Sequence, residues 1–280
     1  MTLRLTEQPS KYRHLEKKSV DELVTLINQE DQTVPLAIQK VLPDLARLIE
    51  AIEEKLKNGG RMFYCGCGTG GHLAVDDVLE LPNTYGIDPE MIQCVLAGEI
   101  AGGVENLVLD LEEKEDDTEE GWQTLKSKHI SEQDIVVGIS ASGTTPYVLA
   151  TLKKCKENGI TTGSFVNNPD APISKYSDYP VEVITGPEFV TGSTRMKAGT
   201  SQKLICDMIS TTLMIRLGRV EDNMMVNANL INDKVIDRSV RMLMERNPEL
   251  SDYDYCKKMI EKCGSVKKTE AYLKQQQIIK

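Results

Sequence analysis

Apolar positions follow two rhythms along this 280-residue chain. Between Arg61 and about Gly218, short continuous apolar runs at 62–66, 91–97, 134–140, 161–167 and 181–184 alternate with segments of helical period at 73–80 and 146–157. Continuous runs suit strands covered on both faces, and strands alternating with helices predict a parallel sheet with right-handed crossovers. Ahead of the sheet, Val34 to Lys57 repeats apolar residues at helical spacing and stops at Asn58-Gly59-Gly60, as one long amphipathic helix would. Ser19-Val20-Asp21-Glu22 reads as an earlier helix start, with Ser19 as N-cap and Glu22 closing a capping box. Residues 1 to about 18 are polar and irregular. Met196 to about Leu217 reads as a long buried helix, and the tail holds two short amphipathic helices, 251–262 and 266–277, parted by Gly264-Ser265. The expected architecture is an N-terminal helical segment (1–59), an α/β domain with a parallel sheet flanked by helices (60–220) and a small C-terminal helical region (221–280).

Two stretches share one pattern of strand, tight turn and helix. Met62-Phe63-Tyr64-Cys65 runs into Gly66-Cys67-Gly68-Thr69-Gly70-Gly71, and Asp134 to Ile139 runs into Ser140-Ala141-Ser142-Gly143-Thr144-Thr145, with Pro146 opening the next helix. A helix start presents unpaired N–H groups and a positive dipole end, so an anion is held there by backbone alone. In a parallel sheet such turns lie beyond the carboxyl ends of the strands, where ligands bind. Ser140, Ser142 and Thr145, spaced S-x-S-G-x-T, add three hydroxyls that can satisfy phosphate oxygens; an ordinary N-cap is the plainer alternative, for which one hydroxyl would suffice.

Composition narrows the possibilities. A formal charge of −10 and an apolar content of 40% fit a globular protein with a real core and argue against a general nucleic-acid or acidic-membrane binder. Seven cysteines, an odd number without framework spacing, read as reduced thiols. Cys65-Gly66-Cys67 lacks the second Cys/His pair of a zinc site. The N-terminal stretch has no apolar signal core and no run approaches the roughly 20 residues of a spanning helix, which points to the cytoplasm.

Other candidate groups are open to two readings. Glu80 precedes Leu81-Pro82, where proline is expected to end the helix; a carboxylate there opposes the helix dipole, and it is either a functional acid or a surface glutamate. Glu115 lies in an acidic run in which eight of the nine residues from Glu112 to Glu120 are charged, usually a solvated face. In Gly192-Ser193-Thr194-Arg195-Met196-Lys197, the cations Arg195 and Lys197 either bind an anion or pair with nearby acids. His72, in the first turn of its helix, is a proton carrier, a phosphate donor or a plain helix residue.

These turns resemble the sugar isomerase (SIS) domain, a flavodoxin-like three-layer α/β/α fold. More narrowly, INQEDQTVPLAIQKVLPDLA, GRMFYCGCGTG, VVGISASGTTPYV, TGSTRMKAGTSQK and NMMVNANLINDKVIDR resemble the N-acetylmuramic acid 6-phosphate etherase family, from about Leu5 to Arg238. TGSTRMKAGT is specific to that family and its relative, the glucokinase regulatory protein. The resemblance implies a cytoplasmic homodimer of cell-wall recycling that uses neither metal nor organic cofactor. It removes D-lactate from N-acetylmuramic acid 6-phosphate by elimination and water addition, leaving N-acetylglucosamine 6-phosphate. One glutamate exchanges protons at C2, and another acidic group assists departure of the lactate oxygen. By motif the catalytic pair falls on Glu80, in ELPNT, and on Glu115, in LEEKEDD, with Glu112 or Glu113 as alternatives for the second. The phosphosugar is expected to be held by Thr69, Gly70, Ser140, Ser142, Gly143, Thr145, Ser193, Arg195 and Lys197. The family's usual serine and arginine in the first turn are Gly70 and His72 here, and its arginine in the second is Thr144, so charge-assisted donors are lost. Those departures favour altered ligand choice, and two other classes stay open: a non-catalytic sugar-phosphate sensor, against which the retention of Glu80 argues, and a phosphosugar isomerase, against which TGSTRMKAGT argues.

Overall fold

The computed structural model describes residues 4–98 and 114–279. Its sheet is made of β1 (Met62–Gly66), β2 (Ile92–Leu96), β3 (Ile135–Ser140), β4 (Thr161–Val166) and β5 (Tyr179–Glu182), in the order β2-β1-β3-β4-β5. Every neighbouring pair is parallel. The helices are α1 (Val20–Asp31), α2 (Thr33–Gln39), α3 (Leu42–Lys57), α4 (Gly68–Tyr85), α5 (Glu120–Ser127), α6 (Pro146–Glu157), α7 (Lys197–Arg216), α8 (Asp233–Arg246), α9 (Tyr253–Cys263) and α10 (Val266–Gln275). The strand order reverses between β1 and β3, the switch point at which open α/β sheets bind ligands. There Gly66 pairs with Ile139, so the two strands end level and their turns emerge side by side.

The described chain forms two compact units. One holds residues up to Asp76 and Glu90–Ile209, and the other holds Asp77–Pro89 and the residues from Ser210 onward. In the first, β1 and β3 bury every residue, as the continuous apolar runs require. Phe63, Cys65 and Val136 pack with Tyr147, Val148 and Leu152 of α6 in one core, while α3 buries Leu48 and Ile52 completely and packs on β1 and β5. Burying side chains of this size contributes about 2 kcal/mol each, so α3 is a layer of the sheet domain. The capping box of α1 is present, with the Ser19 hydroxyl accepting from the Glu22 N–H and the Glu22 carboxylate accepting from the Ser19 N–H.

Two helix boundaries differ from expectation. The long helix expected over 34–57 is two, α2 and α3, because Pro43 has no N–H to continue a helix and fits only the first turn of a new one. Pro82, expected to stop α4, lies inside it. Beyond it the chain stays helical, since Gly86 N–H donates to Pro82 O (2.9 Å) and Asn229 closes the end, its Nδ2 donating to Pro82 O (2.7 Å) and its backbone N–H to Asn83 O (3.0 Å).

In the second unit α8, α9 and α10 surround Val240, Leu243, Cys256, Ile260 and Leu273. Asn232, Asp252 and Ser265 cap the three helices with their side chains. The hairpin of β6 (Val220–Glu221) and β7 (Met224–Met225) is tied in by Arg246, which pairs with Glu221 and Glu270. No described helix is long and apolar enough to cross a membrane.

Candidate functional site

A cavity of about 740 Å³ opens in the first unit where β1 and β3 end. Its wall takes Cys67, Gly68, Thr69 and Gly70 from the first turn and Ser140, Ala141, Ser142, Thr144, Thr145 and Pro146 from the second. Glu115, Thr194, Gln202 and two residues near the N-terminus, Arg4 and Glu7, complete it.

The second turn carries an ordered chain of hydroxyls. Gly143 N–H donates to Ser140 Oγ (3.0 Å), Ser140 Oγ lies 2.9 Å from Thr145 Oγ1, and Thr145 Oγ1 donates to Glu115 Oε1 (3.0 Å). A hydroxyl has one proton, so with Thr145 donating to Glu115, Ser140 donates to Thr145. Ser142 Oγ accepts from the N–H and the hydroxyl of Thr144, both at 3.2 Å. Thr145 occupies the N-cap of α6 yet makes no side-chain cap bond. Its hydroxyl is directed to Glu115 and not to the helix. The turn needs Gly143, whose φ of +71° favours glycine and whose added Cβ would lie 2.4 Å from the Ala171 methyl. Glu115 itself is exposed, and its carbonyl accepts from Tyr147 N–H (3.0 Å), which fixes its segment to the start of α6.

The first turn is built for closeness. Gly70 is buried, and a Cβ there would sit 2.8 Å from Ile139 Cγ2 and 3.4 Å from Gln202 Oε1. The backbone at the start of α4 therefore lies directly against β3 and α7, with the Thr69 hydroxyl as its polar side chain in the cavity wall.

Thr69, Gly70, Ser140, Ser142, Thr145 and Glu115 thus come together, and Gly143 shapes the turn between them. Ser193 and Arg195 do not line the cavity, and Arg195 is exposed. Of the two readings open for Lys197, pairing is the one found: it is 4% exposed and its Nζ lies 2.9 Å from Glu30 Oε2. Burial raises the Glu30 pKa, but hydrogen bonds from Lys11, Lys197 and Tyr12 outweigh it and hold the carboxyl at about 2. Beside it, Glu188 accepts from the N–H groups of Lys197 and Ala198 (2.8 and 2.9 Å), capping α7; burial pushes its pKa up against those donors. Glu80 belongs to the second unit, exposed near the end of α4, and is not part of the cavity wall. His72 is exposed. Glu112 and Glu113 lie outside the described residues.

Arg4, Glu7 and Gln202 were not singled out by the sequence. Gln202 is 1% exposed and donates through Nε2 to Asn167 Oδ1 (3.2 Å); the motif TGSTRMKAGTSQK includes it without marking it. Arg4 and Glu7 flank a turn in a segment with no periodicity to signal its place.

Fold and cavity define a protein of the SIS-domain class. A model described as the glucokinase regulatory protein N-terminal SIS domain matches residues 44–156, and the SIS domain model matches residues 119–211. A solved phosphoheptose isomerase from Neisseria gonorrhoeae shares the fold at a TM-score of 0.52 and 16% identity, over 70% of this chain and 98% of that one. Among curated proteins, the chain is 48% identical over 272 residues to an N-acetylmuramic acid 6-phosphate etherase of Bacteroides thetaiotaomicron, covering 96% of each chain. It is 47% identical to that of Porphyromonas gingivalis, covering 97% of each. The chain belongs to the N-acetylmuramic acid 6-phosphate etherase family.

Proposed function

We propose that this protein is a carbon–oxygen lyase that cleaves the lactyl ether of N-acetylmuramic acid 6-phosphate to N-acetylglucosamine 6-phosphate and D-lactate. Relatives bearing that name match nearly the whole chain. The observation that carries the reading is the hydroxyl chain from Ser140 through Thr145 to Glu115 inside a cavity at the switch point. Neutral hydroxyls and N–H groups suit phosphate oxygens, and a carboxylate at the end of the chain suits proton transfer.

In this reading Ser142 and the backbone N–H groups of both turns donate to the 6-phosphate, with Thr69 beside it, while Ser140 and Thr145 hold Glu115 in place. The resemblance, and not the cavity wall, assigns removal of the C2 proton to Glu80. The C3–O bond breaks and the lactate oxygen leaves with a proton from Glu115. Water then adds its hydroxide at C3 and gives its proton back to Glu115, while the proton taken from C2 returns there, so the sum is substrate plus water giving two products. The protein acts as a homodimer in the cytoplasm; exposed Val20, Val24, Leu36 and Leu42 on the N-terminal helices support self-association.

The test is to incubate the purified protein with N-acetylmuramic acid 6-phosphate and assay D-lactate, with Glu80→Gln alongside. Release that is lost in the variant is expected. Phosphosugar binding without release would instead make the protein a sensor.

A further inference from the structure

We propose that Arg4 is the cation that binds an anionic group of the substrate, and that Asn168 positions it; this rests on the etherase reading and adds a residue to it. Among the described residues, Arg4 is the one cationic side chain lining the cavity, whose wall also holds the carboxylates Glu7 and Glu115. The other cations of the neighbouring segments are committed or outside: Lys197 is bound to Glu30, and Arg195, exposed as Arg4 is, does not line the cavity. Arg4 itself has no ion pair among the described residues. A substrate with a phosphate and a carboxylate enters a cavity with two acids in a protein of charge −10, and neutral hydroxyls alone do not offset that repulsion. A guanidinium does, and its planar fork matches either anion in bidentate fashion.

The segment bearing Arg4 is fixed in place. Its backbone begins the turn Leu5–Glu7, where Glu7 N–H donates to Arg4 O (3.0 Å). Thr6 within that turn is fully buried. Its N–H donates to Asn168 Oδ1 (3.4 Å), while Asn168 Nδ2 donates to Thr6 Oγ1 (3.0 Å) and to Ala141 O (2.9 Å). A carbonyl oxygen only accepts, so the Ala141 contact sets which end of the Asn168 amide is nitrogen. Ala141 stands between Ser140 and Ser142, and one buried amide therefore ties the Arg4 turn to the hydroxyl turn. Further along, Ser10 Oγ donates to Phe189 O (2.7 Å), Ser10 N–H donates to Thr191 Oγ1 (2.9 Å), and the Tyr12 and Phe189 rings meet at 4.8 Å. The backbone that carries Arg4 is thereby tied to the hydroxyl turn.

The experiment compares wild type, Arg4→Ala, Arg4→Lys and Asn168→Ala. It measures steady-state D-lactate release, the calorimetric Kd of N-acetylmuramic acid 6-phosphate, inhibition by N-acetylglucosamine 6-phosphate and melting temperature. Arg4→Ala is expected to raise KM and Kd by about 10- to 100-fold, the loss of one charge-assisted contact, with kcat within a few-fold and an unchanged melting temperature. Arg4→Lys recovers part of the loss. Asn168→Ala, if folded, raises KM in the same direction; an unfolded Asn168→Ala leaves the Arg4 variants to decide. An inhibition constant that rises in step with KM places Arg4 on the phosphate, and one that stays put places it on the lactyl carboxylate. KM and Kd within twofold of wild type in Arg4→Ala would overturn the assignment. A wild type that binds the substrate without releasing D-lactate would sink the lyase reading instead, and the Kd of Arg4→Ala would still report on Arg4.

Discussion

Two turns leave neighbouring strands of one sheet and meet the same cavity, yet they are constructed on different principles. The first, Cys67 to Gly71, has almost no side chains, and its glycine at 70 is needed because Ile139 lies where a Cβ would go. The second, Ser140 to Thr145, is rich in hydroxyls, and its glycine at 143 is needed for a left-handed backbone. One turn brings backbone close to a ligand. The other supplies side-chain donors already oriented by their bonds to one another and to Glu115. Turns alike in position but not in composition can thus divide the work, the first serving proximity and the second preorganised polar contact.

The sharpest way to break this contrast is at the acid where the hydroxyl chain ends. Glu115→Gln keeps an oxygen for Thr145 to donate to but cannot give up or take a proton. Its kcat for D-lactate release should fall by about 10²- to 10⁴-fold while the Kd for N-acetylglucosamine 6-phosphate changes little. Gly143→Ala comes next. A forced positive φ and a contact with Ala171 should lower stability by about 3 kcal/mol and weaken phosphosugar binding, as read by denaturant melts and calorimetry. Gly70→Ala should do less, about 2 kcal/mol, because its backbone is not left-handed and the clash is with one side chain, the buried Ile139, which must shift. Equal losses at Gly70 and Gly143 would erase the distinction between a packing glycine and a conformational one.

A pH series sharpens the contrast further. The Glu30 carboxyl is lowered to about 2 in the folded protein, against about 4.3 when unfolded. Its contribution to stability is therefore full above the unfolded value and lost as pH falls from about 4.3 to 2. Glu188 is shifted the other way, so its ionisation opposes folding and acid relieves it. The melting-temperature gap between wild type and Glu30→Gln should shrink across that acid window. The gap caused by Gly143→Ala, a matter of backbone and sterics, should not.

Much of this was legible in the sequence because it is local. Ser140, Ser142 and Thr145 lie within six residues of one another, and the continuous apolar runs around them admit little but buried parallel strands. The hidden parts depend on contacts between distant positions. Arg4 reaches the cavity through Thr6 and Asn168, 162 residues apart, and nothing in a polar, aperiodic segment signals such a partner. Lys197 was open to two readings, and the acid it pairs with, Glu30, lies 167 residues away. Pro82 sits inside a helix because Asn229 secures the carbonyls beyond it, whereas the break before α3 was written locally in Pro43.

The claim that the second turn works through Glu115 is tested most directly by a double-mutant cycle on kcat/KM for D-lactate release, using Thr145→Val, Glu115→Gln and the double variant. If Thr145 and Glu115 act as one unit, the double variant should be no slower than Glu115→Gln alone, within about twofold. Losses that multiply across the two single variants would show that Thr145 and Glu115 act independently, and would contradict the hydroxyl chain as the working part of the site.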